Sequence, residues 1–496
     1  MNRPTRWYDY ISINIYFFGL STLSQTNSLV TPLLVQQFVG EQVKGSYLGS
    51  LRLWTLMVAL LFQALMGMLS DRSRLSWGRR RPFILIGTLV NLVFVVLVGY
   101  SSTMNGMAGF SFLFTIAILQ QIASNTAQSA QQGLIPDLVP DNQRGKFSGI
   151  KAVLEVPLPL ILVAFTVGRL ISAGNLWAAL ILAMVVLAAA MLLAMLAPEK
   201  PFKEALPPLD WKPILRLASM TVVFTLIILG VGQAVKQIGV LEAGAASPGI
   251  LLVALGLGGL AAMLIAVGLG VWLSVRISIG EQAARRYPSF TWWVVNRLAF
   301  LVGAVNLSTF AVYFIQARLG YVREKAAGPA AQLMLVVGVC ILLSALLSGF
   351  LADRFGRKSL VAISGLVAAL GTLIALLFPN LVIIFLGGGL IGIATGLFYS
   401  ANWALGTDLV PKAEAGRYLG ISNLAGAGAG AVGAYIGGPI ADYFTVHFPQ
   451  MPGLGYILLF SIYGLLFLLS VLALAGVREP KAEPEAFPRA AGLHAE

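Results

Sequence analysis

The residues with the most chemical potential sit in one apolar stretch, LQQIASNTAQSAQQGLI. Gln121, Asn125, Gln128 and Gln132 recur at spacings of four, three and four, which places them on one face of a helix. Amides both donate and accept hydrogen bonds, so such a face suits hydroxyl-bearing molecules. Against lipid it is costly, so it is expected to face an aqueous cavity. Asn14, Ser21, Gln25 and Ser28 form a similar stripe earlier in the chain. Asn306, Tyr313 and Gln316, and then Thr395, Tyr399 and Asn402, are further candidates. The other reading of each amide is that it bonds neighbouring helices together. Ionisable groups inside apolar runs are few. Glu155, with Lys151 one turn before it, is a candidate proton carrier or a simple ion pair. Arg297 is a candidate to bind an anionic group or, as the preferred reading, to pair with a carboxylate, while Arg52, Arg169 and Lys236 read as snorkelling side chains near span ends.

These side chains must be positioned by membrane helices. Of the 496 residues 58% are apolar and 11% are charged, far too few charges for a soluble surface of this size. A span needs about 20 apolar residues. About fourteen such runs occur, the first near 11–34 and the last near 454–475. The first is too long and polar for a cleaved signal and is expected to remain as a span. One cysteine and two histidines exclude a disulfide framework and make a metal cluster improbable. No nucleotide-binding glycine motif or nucleophile–base pair is evident, so neither an enzyme nor a cofactor is expected. The net charge of +13 falls in the connections between runs, which argues for a membrane topology and against nucleic acid. Fourteen spans with both termini in the cytoplasm put the basic connections inside, apart from Arg318–Lys325.

The two halves of the chain resemble each other. PDLVPDNQRGKFSGI, from Pro136, and TDLVPKAEAGRYLGI, from Thr407, share seven of fifteen positions. GMLSDRSRLSWGRRRP, from Gly67, pairs in the same order with GFLADRFGRK, from Gly349. This double loop resembles the signature of the major facilitator superfamily, a glycine followed by Asp-Arg and then Gly-Arg-Arg/Lys. The longer form SDRSRLSWGRRRPFI is similar to the sucrose and glycoside symporter branch. The resemblance implies an all-α membrane protein of two six-helix pseudo-repeats with two inserted helices: residues 1–197 and 287–476 as bundles, 198–286 as a cytoplasmic linker with the inserted pair, and 477–496 as a disordered tail. It implies a cytoplasmic charge latch from Asp71, Arg72, Arg79, Arg80, Asp137 and Arg144, repeated by Asp353, Arg354, Arg357, Asp408 and Arg417. Asp137 with Arg144, and Asp408 with Arg417, are expected to supply the partners for Asp71 and Asp353 in each half. Exporters of the family often carry an arginine in the fourth span, and sugar symporters an acid; here glutamines and Asn125 stand there. Pro157 and Pro159 are expected to break the fifth span, a candidate gating helix.

The expectation is a multi-pass cell-membrane transporter of a neutral sugar or glycoside, working as a monomer by alternating access. Its partners are a small solute, the lipid bilayer and, as coupling ion, protons. The substrate residues would be Gln25, Gln121, Asn125, Gln128, Gln132, Asn306, Tyr313, Tyr399 and Asn402, with Glu155 for the proton. The alternatives are an exporter of amphipathic compounds and a non-transporting assembly factor on the same fold.

Overall fold

The computed structural model describes residues 6–140, 143–199, 211–242, 248–410 and 415–478. It is helical, with no strand among the described residues. Fourteen long helices follow in order. The first six are α1 (Ile15–Val39), α2 (Lys44–Asp71), α3 (Arg81–Ser101), α4 (Gly106–Leu138), α5 (Arg144–Ser172) and α6 (Leu176–Ala194). Then come α7 (Lys212–Glu242) and α8 (Pro248–Ile279). The last six are α9 (Pro288–Thr309), α10 (Ala327–Phe355), α11 (Arg357–Leu377), α12 (Leu381–Asp408), α13 (Ala415–His447) and α14 (Leu454–Ala473).

Among the described residues, thirteen helices are long and apolar enough to cross a membrane. The remaining long helix, α1, has 25 residues, about 38 Å of rise. It falls short on apolarity because it carries Gln25, Asn27, Gln36 and Gln37. It packs within the same bundle, against α6 and α4, so its polar side chains are placed inside protein rather than in lipid.

Packing follows the sequence repeat. α3 and α2 pack on α4, and α11 and α10 pack on α12; α1 packs on α6, and α9 on α14. The two groups meet through α2 on α13 and through α5 on α10. The inserted α7 and α8 pack on each other and on α13. Phe224 of α7 is buried with its ring against the backbone of Gly428, where an added Cβ would lie 2.6 Å from it.

Both copies of the signature loop turn through a glycine in the left-handed region: Gly78 has φ +116° and Gly356 φ +82°, a conformation that other residues rarely adopt. α5 is not continuous. It breaks at Val156 before Pro157, since proline supplies no N–H and clashes with the preceding turn. A π-helical turn follows at Val163–Val167. Such turns concentrate at functional sites.

The tail from Glu479, the segment 200–210 and the Arg417 side chain lie outside the described residues.

Candidate functional site

A cavity of about 230 Å³ opens among α1 to α5. From α4 it is lined by Ala117, Gln120, Gln121, Ser124 and Gln128, and from α1 by Ser21, Ser24, Asn27, Ser28 and Thr31. Arg52 and Thr55 of α2, Asn91 of α3 and Glu155 at the break in α5 complete its polar wall. The Asn27 amide donates to Gln120 Oε1 at 3.4 Å. The Lys151 ammonium lies 3.5 Å from Glu155 Oε2 and 4.4 Å from the centre of the Phe17 ring. The site can therefore offer amide and hydroxyl donors and acceptors, one carboxylate and one guanidinium.

The lining face of α4 is rotated from the stripe expected from spacing alone. Gln121 and Gln128 line the cavity, but Asn125 and Gln132 do not. Asn125 is buried and its amide nitrogen turns back along its own helix, donating to Gln121 O at 2.8 Å and to Gln121 Oε1 at 3.2 Å. Gln132 is exposed near the basic end and accepts from Gln63. Gln25 also lies off the lining, whereas its neighbours Ser24 and Asn27 are on it. Asn14 is fully buried and donates to Tyr10 O. Ser24, Asn27, Gln120 and Ser124 were reachable from the same helical periodicity. Asn91 was signalled by being a lone amide in an apolar span.

The candidates of the second half do not join this cavity. Asn306 is buried and donates to Val302 O and Ala429 O, both at 2.9 Å, tying α9 to α13. Asn402 is buried. It accepts from Arg297 Nη1 at 2.9 Å, donates to Asn296 Oδ1 at 2.9 Å, and its carbonyl accepts from Trp293 Nε1 at 2.8 Å. Arg297 thus bonds an amide, not the carboxylate expected for it. Tyr399 is exposed. Thr395 faces a smaller apolar pocket of about 90 Å³ lined by Leu307, Phe314, Met334 and Phe460, and its hydroxyl is returned to Ile391 O.

Tyr313 and Gln316 belong to a closure between the halves, at the end away from the arginine-rich loops. The Tyr313 hydroxyl donates to Pro32 O at 2.6 Å, and Gln316 bonds Gln36 at 3.0 Å. Lys44 reaches Glu41 at 2.5 Å and Gln316 at 3.0 Å. Asp442 of α13 accepts from the backbone N–H of Gly45 at 2.8 Å and of Ser46 at 2.7 Å. A carboxylate on the amino end of α2 satisfies orphan N–H groups and opposes the positive pole of the helix. The close approach needs glycine: a Cβ on Gly45 would lie 2.7 Å from Gly438 O.

At the basic end the charges pair within each half. Arg80 bonds Asp71, Ser70 Oγ at 2.7 Å and Asp137 at 2.9 Å, and Arg79 reaches Asp137 at 2.5 Å. Arg144 donates to Pro136 O at 3.3 Å. Asp408 pairs with Arg357; the Arg417 side chain expected near it lies outside the described residues. Asp353 and Arg354 are exposed, and Arg72 is half-buried at the end of α2. A residue outside these expectations, Glu199, accepts from the N–H groups of Arg79, Arg80 and Arg81 at 2.9, 2.7 and 3.1 Å. It caps α3 as Asp442 caps α2.

A profile of the Major Facilitator Superfamily matches residues 16–322 and 307–495. The chain is 40% identical over 88 residues to the minor myo-inositol transporter IolF of Bacillus subtilis (strain 168), covering 18% of this chain and 20% of that protein. It is 29% identical over 107 residues to the sucrose transport protein SUC3 of Arabidopsis thaliana, 18% of each chain. The matched stretches thus span about a fifth of these relatives. In fold it is similar to a D-xylose-proton symporter (TM-score 0.62, 17% identity, 96% of this chain and 98% of that one). It is similar also to the nucleoside transporter NupG (TM-score 0.62, 13% identity, 94% and 99%). With a family match over nearly its whole length and the helical architecture above, the chain belongs to the Major Facilitator Superfamily.

Proposed function

We propose that this transporter carries a small hydroxyl-rich solute, a sugar or polyol, in the cavity of its first six helices. The observation that carries this reading is the amide and hydroxyl wall of that cavity: Asn27, Asn91, Gln120, Gln121 and Gln128 with Ser21, Ser24 and Ser28. Amides at that depth are tolerated only where they bond protein or water, and a ring of hydroxyls substitutes for water at such donors and acceptors. The functions named for the partial relatives, myo-inositol and sucrose transport, point to the same class.

The arginine-rich end is read as cytoplasmic, from the bias of basic loops, with both termini on that side of the cell membrane. The closure at Tyr313, Gln316, Lys44 and Asp442 then seals the outer end, and the state is inward-facing. Alternating access requires this seal to open as the basic ends of the two halves come together. The clusters around Arg80 and Arg357 are the charges available to hold that second state. The broken α5 carries Glu155 at its hinge, beside the solute. A proton on Glu155 would release Lys151, and this couples the carboxyl to the cavity.

Uptake into proteoliposomes tests the reading. A panel of hexoses, inositol and disaccharides is offered with and without an inward proton gradient. Flux of at least one hydroxylated solute is expected, accelerated by the gradient in the wild type and indifferent to it in Glu155→Gln. No flux for any hydroxylated solute ends the solute assignment. A gradient effect that persists in Glu155→Gln removes this carboxyl from coupling.

A further inference from the structure

Arg52 sits in α2, eight residues after Lys44 and so about 12 Å along the helix. It lines the cavity together with Asn91, Gln120 and Glu155. Its guanidinium has no hydrogen-bond or ion-pair partner among the described residues, and its Nε is buried without one. Neighbouring cations are treated differently. Lys44 has Glu41 and Gln316, Lys151 has Glu155, Arg80 has Asp71 and Asp137, and Arg297 has Asn402. An unpaired guanidinium within a membrane helix is costly and marks a site rather than a scaffold.

A second feature converges on it. Asn91 is fully buried, lines the same cavity, and neither its amide nitrogen nor its amide oxygen has a partner. Gln120 Nε2 is buried and unpartnered as well. Unspent donors from α2, α3 and α4 therefore surround one space. With Glu155 neutralised by Lys151, Arg52 leaves that space one positive charge in excess. A neutral sugar satisfies the amides and leaves the guanidinium uncompensated.

We infer that the solute carries one anionic group and that Arg52 is its receptor. This rests on the reading of the cavity as the solute site and narrows it from hydroxyl-rich solutes to hydroxylated anions. A carboxylate or a phosphate monoester meets the planar fork of a guanidinium with two parallel hydrogen bonds, which a hydroxyl does not. Asn91 and Gln120 hold the adjoining oxygen atoms, and Gln121 and Gln128 the remainder of the polyol.

Equilibrium binding to the purified full-length chain tests this. The probes are D-glucose, D-glucuronate, D-glucose 6-phosphate and inorganic phosphate, offered to wild type, Arg52→Gln, Arg52→Lys and Asn91→Ala. One anionic hexose is expected to bind at least tenfold more tightly than glucose, and which one distinguishes carboxylate from phosphate. Arg52→Gln should erase that ratio, and Arg52→Lys should retain part of it. Glucose binding as tightly as both anionic hexoses overturns the inference and leaves the hydroxyl-rich reading standing. Arg52-dependent binding of inorganic phosphate alone, with no hexose bound, keeps Arg52 as an anion receptor and removes the hydroxyl-rich reading. Absence of binding by all four probes overturns both. Should Arg52→Gln fail to fold, a ratio reduced in Arg52→Lys relative to the wild type upholds the inference, and wild-type glucose binding as tight as that of both anionic hexoses overturns it.

Discussion

The first and second six-helix groups spend their polar side chains in opposite ways. In the first, amides from α1, α3 and α4 stand around a cavity, and Asn91 and Arg52 are left with unspent hydrogen-bonding capacity. In the second, Asn296, Asn402, Arg297 and Trp293 close on one another, Asn306 ties α9 to α13, and the remaining pocket is apolar. Yet the loops of the two halves share sequence and a left-handed glycine at the same place. Duplication thus preserved what every copy needs, the turn and the charges at the membrane surface. The interiors diverged, because an amide in a membrane helix has two stable uses: bonding protein or facing water. The charge clusters differ too. Arg80 is 7% exposed and serves two carboxylates, while Arg357 and Asp408 are 41% and 42% exposed.

That contrast can be broken most severely at the charge clusters. Arg80→Met strands Asp71 and removes one of two arginines from Asp137. It should cost about 2–3 kcal/mol, less than the loss from a fully buried pair because Arg79 stays on Asp137. Arg357→Met should cost at most about 1 kcal/mol, as exposed pairs do. Thermal unfolding of both variants in the same detergent reads the difference, and equal shifts would show that the halves are electrostatically equivalent after all. Next in size is the contrast of interiors. Gln128→Ala should lower flux of the transported solute about five- to tenfold, the weight of roughly 1 kcal/mol of net hydrogen bonding. Thr395→Val should leave flux unchanged, since its hydroxyl is already returned to its own helix. A larger loss for Thr395→Val would relocate the solute to the second half.

The smallest effect belongs to the connection between α8 and α9. There the Arg285 hydrogen bond, with the charges of Arg285 and Arg276, holds the exposed Glu281 carboxyl below its ordinary range. Stabilisation from a depressed carboxyl is complete at neutral pH and is lost as pH falls through the folded value. Glu281→Gln should therefore lower the melting temperature by less than Arg357→Met at pH 7, and that small difference should vanish in acid. A difference that grows on acidification would contradict the pairing.

Membrane residence, the count of long helices and the internal repeat were all legible in the chain, because each follows from local rules. Span length and charge scarcity need no knowledge of neighbours. Even so, α1 shows where local rules thin out: its amides weaken its apolar signal, and they serve separate ends, Asn27 the cavity, Gln36 the closure with Gln316 and Gln37 a bond to Ser102 O. Periodicity put Gln121 and Gln128 on one face but placed Asn125 beside them, and only the tertiary structure turned that side chain back onto its own helix. Arg52 read as a snorkelling side chain until α3 and α4 were seen to surround it with unpaired amides. The partners of Asp137 and Asp408, the cap that Asp442 places on α2, and the consumption of Asn306 and Asn402 in packing were likewise decided by tertiary contacts. The physical reason is common to all of them. A periodic pattern specifies the direction in which a side chain leaves its helix, whereas the partner it meets belongs to another helix far away in sequence.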